Sequence, residues 1–171
     1  MVADRAEQLI QTHYGRVLRL LTRLTGSITQ AEDLAQTVFL GLLRTAPEIE
    51  HPDEARIYVT KSAFNAWRQW SKKATPATLP ADVEALLLSD EPEVLDVLAE
   101  KDDIVKILSM IHSLPDQQRA VFVLTVFEGM GYNQVAEIMG VPRSTVSMWR
   151  VRAVRYIRET MRYAEPVLRE P

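Results

Sequence analysis

Apolar residues recur along this chain three and four positions apart, and form no convincing run of strand alternation. The first stretch, from about Ala3 to Thr25, places Leu9, Ile10, Tyr14, Val17, Leu18, Leu21 and Leu24 on one broad stripe. That spacing follows the helical period and predicts an amphipathic α-helix, with Arg5, Arg16, Arg19 and Arg23 mostly off the stripe. Gly26 stops it. A second stretch, AEDLAQTVFLGLLRT, carries Leu34, Ala35, Val38, Leu42 and Leu43 at core spacing; Asp33, Gln36, Thr37 and Leu40 lie opposite. Phe39 fits either face. Thr29, with Glu32 three residues on, forms a capping-box pattern at its start.

The segment PEIEHPDEA, with two prolines and several acids, reads as a loop. Asp53 is the candidate N-cap of a third helix, from about Glu54 to Lys73. Its inner stripe is predicted to be Tyr58, Val59, Ala63, Ala66 and Trp70. Lys61, Asn65, Arg68, Lys72 and Lys73 lie elsewhere, with Phe64 and Trp67 near them. Prolines, small residues and acids then mark ATPATLPADVEALLLSDEPEV as a linker. A further helix is predicted from about Pro92 to Ser113, and another from Asp116 through Val121, Leu124, Thr125 and Phe127. Gly129 and Gly131 end the latter.

From Tyr132 to Met161 the pattern becomes two helices around a tight turn. Asn133 is placed to cap the first, which buries Val135, Ala136 and Met139. Gly140 stands where a helix ends in a left-handed turn, and Pro142 suits the turn that follows. Ser144 or Thr145 caps the second helix, whose inner face is Val146, Trp149 and Ala153 or Val154. A small residue, a glycine four later and an apolar residue six after that give the layout of a helix-turn-helix. Six arginines (143, 150, 152, 155, 158 and 162) face one acid, Glu159, between Val141 and Tyr163. A solvated helix in a bundle is the plainer reading, but turn chemistry, spacing and local charge agree on duplex DNA.

The net charge of −3 is unevenly spread. Residues 1–75 carry 10 basic and 8 acidic side chains (net +2), residues 76–113 carry 2 and 9 (net −7), and residues 114–171 carry 8 and 6 (net +2). An acidic middle thus separates two mildly basic ends. The basic and aromatic side chains of the third helix suit single-stranded nucleic acid, since cations meet phosphate while rings stack on unpaired bases; these rings would serve equally as core.

Nothing points to catalysis. There is no cysteine, and His13, His51 and His112 lack metal-ligand spacing. His13 and His112 are expected at the surface or boundary. No phosphate loop or nucleophile motif is present. No cofactor or metal is therefore expected. The N-terminus lacks a signal-peptide pattern, and no apolar run approaches the roughly 20 residues of a membrane span, so a cytoplasmic protein with no membrane insertion is expected.

Taken in order, these elements resemble a bacterial sigma-70-family sigma factor of the extracytoplasmic-function (ECF) group, from about residue 5 to 163. Three segments carry the resemblance: GSITQAEDLAQTVFLGLL, ARIYVTKSAFNAWRQWSKK and LPDQQRAVFVLTVFEGMGYNQVAEIMGVPRSTVSMWRVRAVRYIR. It implies an all-α fold of two small helical domains. Residues 1–74 would be a region 2 type and residues 96–165 a region 4 type with the helix-turn-helix, joined by a flexible acidic linker at 75–95.

The resemblance also implies roles. Asp33, Leu34, Gln36 and Phe39 would dock on the β′ clamp helices of core RNA polymerase. Lys61, Phe64, Asn65, Trp67, Arg68, Lys72 and Lys73 would open the −10 element and hold its strand, with the loop from Thr45 to Pro52 helping to pocket a flipped base. Arg143, Ser144, Thr145, Ser147, Met148, Arg150, Arg152 and Arg155 would bind the −35 element, and the C-terminal domain would also touch the β flap. Ser147-Met148-Trp149-Arg150 departs from the Lys-Ser-Arg-Leu usual after Thr-Val, which implies an unusual −35 preference. An anti-sigma factor is the expected regulatory partner. Two other readings stay open: a dimeric helix-turn-helix regulator of an operator, and a sigma-like protein that occupies polymerase without initiating.

Overall fold

A computed structural model describes residues 2–45, 47–73 and 101–164. Every described element is helical. The chain divides into two compact units, one within residues 1–86 and one within 87–171. The expected linker, 75–95, and the expected start of the next helix at Pro92 lie outside the described residues.

The first unit has three helices: α1 (Val2–Thr25), α2 (Ile28–Thr45) and α3 (Pro52–Ser71). Gly26, at φ 73°, takes the left-handed turn that ends α1, and its N–H donates to Thr22 O at 2.8 Å. The Oγ of Ser27 accepts from Gln30 N at 3.3 Å. The cap of α2 is therefore Ser27 and not Thr29, which sits inside the first turn. With so short a connection α1 and α2 must fold back on each other. Val17, Leu20, Leu21 and Leu24 are fully buried against Ala31 and Ala35, whose small side chains let the helices approach. Burying each such leucine stabilises the unit by about 1.5–3 kcal/mol.

His51 caps α3: its Nδ1 accepts from Asp53 N at 3.3 Å, with Pro52 opening the helix. The expected cap, Asp53, lies two residues further on, inside the first turn. Arg16 ties α1 to α3, donating to Thr60 Oγ1 at 2.9 Å and to Arg56 O at 3.4 Å. Arg23 and His13, expected away from the core, are buried. Burial, then Arg16 and Arg56, hold the His13 pKa below its usual value, so the ring favours its neutral form.

The second unit comprises α4 (Lys101–Ser113), α5 (Asp116–Phe122, continued as a π-turn over Val123–Phe127), α6 (Tyr132–Met139) and α7 (Arg143–Ala164). The wider turn brings Phe122 and Phe127, five apart in sequence, into edge contact at 6.2 Å. Ile111, Val121, Leu124, Val135, Val146 and Ala153 form a core shared by all four helices. Arg119 closes the end of α4, donating to the carbonyls of Ile111, His112 and Leu114.

Candidate nucleic-acid interface

The helix-turn-helix is built from α6 and α7. The Gln134 side chain reaches back and accepts from Gly131 N at 3.2 Å, which fixes the start of α6. Gly131 holds the N-cap position that the sequence assigns to Asn133; Asn133 is exposed within the first turn. Gly140 ends α6 at φ 67° and ψ 37°, and the N–H groups of Gly140 and Val141 both reach Ala136 O. The Pro142 carbonyl accepts from Thr145 N at 3.0 Å, so Ser144 and Thr145 lie inside α7 and do not cap it.

One face of α7 is set by burial. Val146, Ala153 and Ile157 point inward. Arg143, Ser144, Arg152 and Arg155 are exposed, while Thr145, Ser147 and Arg150 are half-buried. Met148 is 41% exposed and Val151, which sequence reasoning left out, is 52% exposed. Their positions on an ideal helix put Met148, Val151 and Arg155 on one outer face. Two large apolar side chains standing in water among arginines form the kind of surface that meets base edges and thymine methyl groups. Trp149, expected on the inner face, is half-buried.

In the first unit, α3 is rotated from its predicted orientation. The buried residues are Ala55, Val59, Thr60, Ala63, Phe64 and Trp67. Phe64 and Trp67 are 3% and 2% exposed and pack on each other at 5.8 Å. They cannot stack on bases from there, which corrects their expected role in strand binding. The rings that face outward are Tyr58, 36% exposed, and Trp70, whose Nε1 donates to Gln30 Oε1 at 3.1 Å. Together with Ser62, Asn65, Gln69 and Lys73 they line one wall of a groove of about 440 Å³, and α2 forms the other wall. Lys61, Arg68, Lys72 and Lys73 are exposed. Arg68 sits over the Phe64 ring at 5.7 Å.

On α2 the exposed face is also displaced by one position. Phe39 is buried against Tyr14, with ring centroids 5.4 Å apart, which removes it from any docking surface. Leu40 and Leu43 are exposed, at 55% and 47%. Leu43, expected in the core, joins Asp33, Gln36 and Leu40 at a spacing of three, four and three, one helical stripe. Leu34 lines the groove instead. The expected base-pocketing loop borders a second cavity, of about 530 Å³, through Pro47, Ile49, Glu50, His51 and Pro52, opposite Arg5, Gln8, Leu9, Thr12 and His13 of α1. Among the described residues no helix is long and apolar enough to cross a membrane.

Two family descriptions match. Sigma-70 region 2 covers residues 9–76 and sigma-70 region 4 covers residues 104–157. The ECF RNA polymerase sigma factor SigE of Mycolicibacterium smegmatis is 27% identical over 142 residues, covering 82% of this chain and 55% of that protein. The RNA polymerase sigma factor YlaC of Bacillus subtilis is 25% identical over 162 residues, 92% of each. The chain thus spans about half the length of the first relative and nearly all of the second. In fold it is similar to the sigma factor RpoE crystallised with the anti-sigma factor NepR from Bartonella quintana, with a TM-score of 0.68 at 16% identity over 91% of this chain and 96% of that one. Both regions lie on one chain in the expected order, the second carries a helix-turn-helix, and SigE, like several further relatives, is named an ECF sigma factor: the chain belongs to the sigma-70 family, in its ECF group.

Proposed function

We propose that this chain is a promoter-specificity subunit of RNA polymerase with no chemistry of its own. The observation that carries the reading is the outer face of α7, where Met148 and Val151 stand exposed between arginines on the second helix of a helix-turn-helix. Residues 1–74 and 96–165 act as its two binding domains and 75–95 as the linker. The α2 stripe of Asp33, Gln36, Leu40 and Leu43 docks on the β′ clamp helices, while the second domain touches the β flap.

The −10 strand lies along α3. Lys61, Arg68, Lys72 and Lys73 neutralise phosphates there, and Tyr58, Asn65 and Trp70 face the unstacked bases. The −35 duplex lies on α7. Arg143, Arg150, Arg152 and Arg155 meet phosphate, and Ser144, Ser147, Met148 and Val151 face base edges. The protein works in the cytoplasm, where its polymerase is, and an anti-sigma factor holds it inactive. The solved relative bound to NepR supports that partner class.

The test is reconstitution with core polymerase. Co-elution with core enzyme, and run-off transcripts starting at discrete genomic positions, are the expected results. Failure to bind core enzyme overturns the proposal. Binding without any promoter-dependent transcript leaves a non-initiating occupant of polymerase instead.

A further inference from the structure

The ring of Tyr132, the first residue of α6, lies 5.9 Å from the guanidinium carbon of Arg143 and 5.8 Å from that of Arg150. Both distances fall within the roughly 6 Å at which an aromatic face attracts a cation. The two arginines stand seven residues apart on α7, about 10 Å along its axis and on the same side. One ring therefore engages both. Arg150 is half-buried, and its Nε is buried without a hydrogen-bond partner among the described residues. Neither arginine has a carboxylate partner among those residues.

The choice of an aromatic partner matters chemically. A carboxylate would order a guanidinium but would also neutralise it and occupy its N–H fork. A ring orders the guanidinium through its flat face and leaves the charge and the terminal N–H donors for phosphate. The backbone that carries the ring is held just before it, where Gln134 accepts from Gly131 N. We infer that Tyr132 is a positioning residue: it pre-orders Arg143 and Arg150 on the flank of α7 for the phosphates of duplex DNA. This rests on the duplex-binding reading of α7. The ring performs this role and the hydroxyl does not.

The test uses the full chain and a mixed-sequence duplex of about 25 base pairs at low salt, read by fluorescence anisotropy. Tyr132→Leu should weaken binding roughly 5- to 150-fold, because two rotamer-rich side chains must then be ordered on binding. The slope of affinity against salt should stay as in the wild type, because the same phosphates are met; Arg150→Ala should flatten it by about one ion. Tyr132→Phe should bind within 2-fold of the wild type. In an Arg143→Ala, Arg150→Ala background, Tyr132→Leu should have no further effect. An equal loss in that background, or an equal loss in the Phe variant, overturns the positioning role. So does wild-type affinity in Tyr132→Leu. Absence of wild-type binding overturns the duplex reading together with it.

Discussion

Replacing Arg119 by alanine should destabilise the second unit by about 2–4 kcal/mol. Arg119 stands on α5 and reaches back across Leu114-Pro115 to the end of α4. Its Nε donates to Ile111 O at 3.1 Å, and its Nη2 to His112 O at 2.9 Å and Leu114 O at 3.0 Å. His112 lies in the last turn, whose carbonyls a helix leaves without intrahelical partners, while Ile111 O also accepts from Leu114 N at 3.1 Å and keeps that partner when the arginine is lost. A hydrogen bond from a charged donor contributes about 1.5–3 kcal/mol, so three bonds set a ceiling of roughly 5–9 kcal/mol. Water can reach part of the exposed turn at Ser113 and Pro115 once the side chain is gone, which brings the expected loss down to about half that ceiling. The ion pair to Asp116, at 3.8 Å and half-exposed, adds little. Urea unfolding of the full chain, followed by circular dichroism, measures the difference. Arg119→Lys keeps the charge but not the planar fork, and should recover less than half of the loss. A change below about 1 kcal/mol in the alanine variant, or full recovery with lysine, would refute the reasoning.

Three further outcomes follow from the same geometry. Burial and then Arg119 lower the His112 pKa from 6.5 to about 4, so the unfolded chain binds the extra proton first. Stability should be complete above pH 6.5 and fall toward pH 4, by at most about 3 kcal/mol and nearer 1–2 for a partly exposed ring. His112→Leu should remove this part of the pH dependence in urea midpoints and leave the part due to His13 in the first unit. At Gly140 an added Cβ meets nothing within 4 Å, so Gly140→Ala costs only the left-handed strain at φ 67°, about 1–2 kcal/mol; Gly140→Asn should cost less in the same melts, and equal losses would point to a clash. Leu40→Asp and Leu43→Asp expose no new core, so melting should stay within about 0.5 kcal/mol of the wild type while core-polymerase affinity drops at least 10-fold by gel filtration or anisotropy. Undiminished polymerase binding would count against the α2 stripe as the docking face.

The sequence alone determined the elements and their order. Helical periodicity, Gly26, Pro115, Gly140 and the arginine-rich C-terminal helix mark the three helices of one unit and the helix-turn-helix of the other, because backbone propensity and turn chemistry act over a few residues. It also carried the family. What only the tertiary structure decided is which way each helix is turned. Phe64 and Trp67 follow the basic positions of α3 as closely as Tyr58 and Trp70 do, and Phe39 adjoins Leu40 on α2. One step along a helix is about 100° of rotation, and an aromatic side chain stabilises a core as well as it binds a base. Packing against α1 settles the matter, burying Phe39, Phe64 and Trp67 and leaving Leu40, Leu43 and Tyr58 in water. Caps shift for the same reason: Ser27, His51 and Gly131 hold positions that local pattern gave to Thr29, Asp53 and Asn133. The contact of Tyr132 with two arginines joins residues eleven and eighteen positions away in the chain, and no local pattern holds that information.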